Sequence, residues 1–325
     1  MKLKNILLFA TISLFFAACA VAKKETSEKK EVAKSTSVKN GIKQKLETNF
    51  NRGIIAKAIA ESYPELNQTW ELEANFSDEF NYEGKNDEFK KNWNDSYFNG
   101  WRGPGLTEWT SNNSDVKEGN LIISASRKPN TNRVYCGVVT SKQELKYPVY
   151  TEVRAKVANQ VLSSNFWFLS KDDKRELDVL EIYGGDRESE KWFAANAASN
   201  THVFLRNDSD NSIIKDINKS VKSKLADGSP WRNEFHTYGA YWKDAFTIDI
   251  YYDGKLVNQI RKESIQDPAN LGLNRAMFMV IDLEDHDWRS RKNPPITPTD
   301  AELADETKNK YLVDYVRTFR PVHKN

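Results

Sequence analysis

Glu176-Leu177-Asp178-Val179-Leu180-Glu181 is the stretch on which the reading of this chain turns. Three carboxylates are set among apolar residues, in a run that reads as a buried β-strand. A strand sends alternate side chains to the same face, so Glu176 and Asp178 point together while Glu181, an odd number of positions on, points away. One extra residue around Val179-Leu180, a β-bulge, restores the phase and turns Glu181 back to its neighbours; such bulges are common beside active sites. An exposed acidic strand is the plain alternative. Against it stand Leu177, Val179 and Leu180 between the acids and the largely apolar run Ser164-Asn165-Phe166-Trp167-Phe168-Leu169 upstream.

Carboxylate chemistry says what such a face does. Two carboxyl groups about 5–5.5 Å apart suit a retaining glycosidase, in which one attacks the anomeric carbon and the other protonates the leaving oxygen. At ~3.3 Å per residue the Glu176 and Glu181 backbones lie about 13 Å apart once the bulge is discounted, and two glutamate side chains leaning inward close most of that. Retention is the expectation. Like charges in one site push a proton onto one member, and the expected holder is Glu181, as a general acid requires.

Outward from this strand the texture is alternation. Val149, Thr151, Val153, Ala155 and Val157 fall on one face, with Tyr150, Glu152, Arg154 and Lys156 on the other. Phe246, Ile248, Ile250 and Tyr252 repeat the pattern into Asp253-Gly254, a hairpin-turn signal. Met277, Met279 and Ile281 against Phe278 and Val280 read as a strand buried on both sides. Tyr311, Val313 and Tyr315 alternate with Leu312, Asp314 and Val316. Many strands and few helical patterns predict an all-β sandwich of two antiparallel sheets.

At the N-terminus Lys2 and Lys4 precede an apolar run from Ile6 to Ala18, too short to span a bilayer, as in a secretory signal. Phe16-Ala17-Ala18-Cys19 is similar to a bacterial lipoprotein cleavage site, which makes 1–18 the signal peptide and Cys19 the lipid-bearing residue. Residues 19–66 read as a polar Lys/Glu/Ser/Thr tether with a short helix around Ile54–Ala60, and 67–322 as the catalytic domain. With Lys+Arg 48 against Asp+Glu 46, most of the surplus at the N-terminus, nothing predicts a nucleic-acid surface. Cys136 is the other cysteine, so the lipidated chain has no intrachain disulfide, and Cys136 reads as a small buried hydrophobe.

The acid pattern does not stand alone. Trp101-Arg102-Gly103-Pro104-Gly105-Leu106-Thr107, Leu162-Ser163-Ser164-Asn165-Phe166-Trp167, Ile182-Tyr183-Gly184-Gly185, Phe235-His236-Thr237-Tyr238-Gly239 and Ile281-Asp282-Leu283-Glu284-Asp285-His286-Asp287-Trp288-Arg289-Ser290 follow in order. Together, from about Trp70 to Pro321, they resemble the bulge-containing branch of glycoside hydrolase family 16, and within it the bacterial β-agarases. The resemblance implies a β-jelly roll with a sugar cleft across its concave sheet, and endo-hydrolysis of the β-1,4 bonds of agarose with retention; a monomer is expected. It implies Glu176 as nucleophile, Glu181 as general acid/base and Asp178 as the group that orients and tunes Glu176. Porphyranases acting on sulphated agar share the pattern, and a galactan-binding surface lipoprotein without catalysis is the rival from another class. No cofactor is expected for catalysis; a structural calcium on the outer sheet is compatible with the resemblance, with no ligands assigned.

Around the trio, Trp101 in its Gly/Pro loop and Trp167 on the neighbouring strand are candidate stacking platforms; by pattern alone each is equally a core residue. His202 and Arg206, evenly spaced, could hydrogen-bond sugar hydroxyls. His236 could stand near the nucleophile or be a structural histidine. Glu284, His286, Trp288 and Arg289 could line one end of the cleft. The acids from Asp282 to Asp287 could also ligate a metal, but neither a His-Glu-x-x-His pattern nor paired cysteines accompany them, so sugar binding is preferred. No Gly-x-Ser-x-Gly elbow or phosphate-cradling glycine loop occurs.

Overall fold

In the computed structural model, which describes residues 34–323, the chain divides into a unit ending at Gly53 and one running from Ile54 onward. The signal segment 1–18, Cys19 and the tether up to residue 33 lie outside the described residues. Residues 34–52 form a helix where a solvated tether was expected. The physical reason is visible in the residues: Val38, Ile42 and Leu46 recur at helical spacing, and Lys43 pairs with Glu47 one turn on at 3.6 Å. The second unit also begins earlier than residue 67. It includes the helix Ile54–Ser62, and Tyr63 bonds a carboxylate of the sandwich.

That unit is a sandwich of two antiparallel-dominated sheets, as the alternation predicts. The convex sheet has ten strands. Along its path run Lys255–Ile260, Thr247–Tyr252, His236–Asp244, Val149–Lys156, Lys310–His323, Asn120–Arg127, Val134–Cys136 and Thr107–Trp109, with Gln68–Leu72 beside the long C-terminal strand and Ser114–Lys117 beside Asn120–Arg127. The concave sheet holds eight strands: β1 Trp93–Asn94, β2 Val138–Leu145, β3 Ser163–Ser170, β4 Arg175–Tyr183, β5 Ala197–Arg206, β6 Ile213–Asn218, β7 Val221–Ser223 and β8 Met277–Glu284. Its order is β6-β5-β4-β3-β8-β2-β1, with β7 also pairing β5. The carboxylate strand β4 is therefore central, flanked by β3 and β5.

Between the sheets lies one apolar core. Leu177, Val179, Leu180 and Ile182 enter it from β4, Phe166 and Phe168 from β3, and Val153, Ile248 and Ile250 from the convex side. Burying such side chains, at roughly 1.5–3 kcal/mol each, is what holds the two sheets together. Hence β4 is anchored by its apolar residues, and its acids are left to the outer concave face.

Some strands depart from simple alternation. In Thr247–Tyr252, Asp249 and Tyr251 are buried as fully as their neighbours. Asp249 is held by two partners from outside the strand: the Tyr63 hydroxyl of the N-terminal segment donates to Oδ2 at 2.7 Å and Arg261 Nη2 to Oδ1 at 2.7 Å. In the last strand a register shift between Val313 and Tyr315 changes the phase, so that Val316 joins the core. At Asp253-Gly254 both residues have positive φ, 48° and 74°, the hairpin geometry the pair predicts.

Candidate active site

The bulge is present. Against β3, Asp178 pairs with Trp167 and Leu180 with Phe166, so Val179 is the extra residue. Against β5 the shift lies between Asp178 and Glu181, which pair with Asn200 and Ala198. The Val179 carbonyl accepts a hydrogen bond from the Tyr252 hydroxyl at 2.8 Å, tying the bulge to the convex sheet. With the phase restored, Glu176, Asp178 and Glu181 line one cleft together with Trp101, Pro104, Asn165, Trp167, Leu180, His202, Phe204, Glu284 and His286.

Cross-strand pairing explains the company. Glu176 faces His202 and Asp178 faces Asn200 across β5, Glu181 faces Asn165 across β3, and Asn165 in turn faces Asp282 on β8. Side chains at directly paired positions share a face. The cleft encloses about 210 Å³.

Charge in the cleft is concentrated at Glu176, Asp178 and His202. Burial, then the neighbouring charge of Asp178, pushes Glu176 well above the usual carboxylate range. Burial also raises Asp178, opposed by a hydrogen bond from His202. His202 Nε2 lies 3.6 Å from Glu176 Oε1 and 3.4 Å from Asp178 Oδ2, while Nδ1 lies 2.8 Å from Asp216 Oδ1. Burial alone would lower this imidazole, but Glu176, Asp178 and Asp216 together push it up to about 11. The surrounding carboxylates thus favour its cationic form. The Asn200 side-chain nitrogen lies 2.7 Å from Nε2, a contact a neutral ring would accept; protonation requires that amide to turn its oxygen inward and give up the bond its oxygen accepts from the Thr201 N–H at 2.9 Å.

A second group sits at the Glu181 side. His286 Nε2 is 2.9 Å from Glu284 Oε1, and although burial opposes it, Glu284 raises His286 to about 9. The Tyr183 hydroxyl donates to Glu181 Oε1 at 3.1 Å. Asp282, pushed well up by burial and by Glu284, accepts the indole N–H of Trp167 at 2.9 Å and of Trp109 at 3.1 Å. Those bonds set the Trp167 ring in the cleft wall. Tyr97 stacks on Trp109 at 4.6 Å and lies 6.1 Å from Trp167, extending an apolar flank with Val138, Leu169 and Val280. Trp101 stands over this flank, 48% exposed, edge-on to Trp109 at 5.3 Å.

Of the residues singled out from the sequence, Trp101, Trp167, His202, Glu284 and His286 join the three acids in the cleft. Arg206 continues the same face past Phe204 but lies outside the cleft, its Nε and Nη1 spent on the carbonyls of Asp173 and Asn211. Trp288 is an exposed rim residue, edge-on to Tyr183 at 5.7 Å. Two expectations are overturned. His236 lies on the convex sheet, opposite Ala155, with Nδ1 2.7 Å from Asp253 Oδ2 and its ring against Trp231. Arg289 is 0% exposed, paired with Glu190 beneath the cleft, so it cannot touch a ligand. Asn165 and Phe204 went unnoticed, although each follows by even spacing from Trp167 and His202; Tyr97 sits in a loop with no periodic signal.

Among the described residues, Glu176, Asp178 and His202 have donor atoms near enough to share an ion. The acids of the Asp282–Asp287 run are otherwise engaged: Asp282 with the indoles, Glu284 with His286, Asp285 Oδ2 with the Leu106 N–H at 2.9 Å, and Asp287 with Arg291 at 2.8 Å.

Residues 70–321 match the family profile described as beta-porphyranase A-D, GH16 domain. The chain is 47% identical over 265 residues to beta-agarase AgaB34 of Agarivorans albus, an alignment covering 78% of this chain and 57% of that protein. It thus spans less than two thirds of that relative. Beta-agarase B of Zobellia galactanivorans is 38% identical over 287 residues, 79% of this chain and 80% of that one. The solved structure of an inactivated mutant of beta-agarase B in complex with agaro-octaose superimposes with a TM-score of 0.70 over 79% of this chain and 96% of that one, at 38% identity. With a profile match over most of its length and this jelly-roll sandwich, the chain belongs to glycoside hydrolase family 16.

Proposed function

We propose that this protein is an endo-acting, retaining β-agarase that cleaves β-1,4 galactosidic bonds in agarose. The observation that carries the reading is the bulge at Val179, which brings Glu181 to the cleft face of Glu176 and Asp178. Glu176 attacks the anomeric carbon, Glu181 protonates the departing oxygen, and Glu181 then takes a proton from the water that releases the covalent intermediate. For attack Glu176 must be ionised. A His202 cation favours that state by charge, against the burial and the Asp178 charge that raise Glu176. Trp101 and Trp167 offer flat faces to the C–H surfaces of sugar rings. Agarose as substrate rests on the relatives named as β-agarases, one of which has been captured with agaro-octaose.

A second substrate, sulphated agar, is favoured by the porphyranase name of the matching profile. A non-catalytic binder is disfavoured, because capture of a glycan has no use for a clustered carboxylate trio. Incubating the purified protein with agarose, porphyran and carrageenan and measuring new reducing ends separates the three. Release from agarose is expected; release from porphyran alone, or binding without release, would overturn the assignment.

Export as a lipoprotein anchored through Cys19 completes the proposal, supported by the charged start, the apolar run and the small residues before that cysteine. Replacing Cys19 by Ser should move the protein from the membrane to the soluble fraction. Membrane association that survives the change would contradict anchoring at this residue.

A further inference from the structure

A buried cluster lies beneath the Glu181 end of the cleft. Arg289 is enclosed by three rings, its guanidinium 4.3 Å from the centroid of Tyr183, 4.5 Å from Phe193 and 5.2 Å from Trp288. Its Nη2 pairs with buried Glu190, while its Nε and Nη1 have no hydrogen-bond partner among the described residues. Burying a charge this thoroughly carries a desolvation penalty that its ion pair and the surrounding rings must offset. What it holds is Tyr183, two positions beyond Glu181 on β4. Phe193, His286 and Trp288 each meet that ring edge-on at 5.7 Å, leaving it 5% exposed.

We infer that Tyr183, clamped by Arg289 and Glu190, is a positioning residue for Glu181: its hydroxyl donates to Glu181 Oε1 and so aims the other oxygen, Oε2, at the leaving group. This deepens the proposed hydrolysis and rests on it. The arrangement fits the task because Oε1 is occupied by a donor on a ring that cannot turn, leaving one carboxyl oxygen to carry the reacting proton. Burial and the Glu181 charge hold the phenol well above its ordinary range, so it stays a donor throughout the working pH range. Charged and titratable groups facing Glu181 are Asp178 on β4, Glu284 on β8, His286 beyond it, Arg289 below through Tyr183, and Tyr252 from the convex sheet.

The test is Tyr183→Phe, which deletes one oxygen and keeps the packed ring. A donor to a carboxylate favours the ionised form, so its loss favours the protonated one. The alkaline limb of kcat/KM on agarose oligosaccharides should move up by about one pH unit. The rate at the optimum should fall about 10- to 100-fold, with a smaller loss on an activated aryl glycoside that needs no protonation. A ring that merely packs would leave the alkaline limb in place and weaken both substrates alike. An unmoved limb with a wild-type enzyme that cleaves agarose overturns this inference and leaves the hydrolase reading standing. Wild-type protein inert on agarose, porphyran and carrageenan overturns that reading and this inference with it. Arg289→Met tests the clamp: shifting the same limb in the same direction supports it, and a folded variant with the wild-type profile overturns the clamp.

Discussion

At the residue scale, Glu176 and Glu181 differ in what surrounds them, and their variants should differ accordingly. Glu176→Gln should lower hydrolysis of every substrate by at least ~10³-fold, because the nucleophile is gone. Glu181→Gln should cost about 10²–10⁴-fold on agarose, the usual contribution of general acid–base catalysis, and much less in forming the intermediate from an activated aryl glycoside. Steady-state kinetics on both substrates checks the pair; equal losses for Glu181→Gln would contradict its acid role. His202 makes a separate prediction. As a cation beside Glu176 it favours the ionised carboxylate, so His202→Gln should let Glu176 keep its proton to higher pH. The acid limb of kcat/KM should then move up by about one unit, and an unchanged limb would contradict the charge argument. Residues of this kind were legible where a face repeated every second position, as for Trp167 and His202. His236 and Arg289 were misread because a lone polar residue in a motif carries no sign of which sheet it belongs to, or whether its partner is a sugar or a buried glutamate.

Elements set the geometry these residues share. The bulge could be read from an odd spacing between acids in an apolar strand. The loop that carries Trp101 shows a constraint that the residues alone did not reveal. Gly105 has φ +55°, and a Cβ built on it would stand 2.2 Å from Asp285 Oδ2, the oxygen that accepts the Leu106 N–H. Gly105→Ala should therefore break the tie between this loop and the end of β8, costing on the order of 1–3 kcal/mol. It should raise KM more than it lowers kcat, since Trp101 and Pro104 line the cleft without touching the transferred proton. Kinetics and thermal unfolding of the variant would check this; unchanged KM with wild-type stability would contradict it. Alternation failed at Asp249 because partners from outside the strand hold its carboxylate, and at Val316 because a second bulge moves the phase. Neither cause leaves a local mark in the strand.

For the whole molecule, the two-sheet architecture followed from strand texture, but the extent of the folded unit did not. Its start at Ile54 depends on Tyr63, whose hydroxyl bonds Asp249 while Arg261 bonds both. Tyr63→Phe leaves that buried carboxylate one donor short and should lower unfolding stability by about 1–3 kcal/mol in urea, with cleavage kinetics unaltered. A wild-type midpoint would show that the segment does not clasp the sandwich. The kinked strand sets Glu176 and Glu181 on one face of the concave sheet, and the proposed covalent mechanism stands on that. Proton NMR of the anomeric signal during the first turnovers on agarose tests it most directly. The β-anomer should appear first and mutarotate later; an α-anomer formed first would mean inversion, and the assignment of Glu176 as nucleophile would fall.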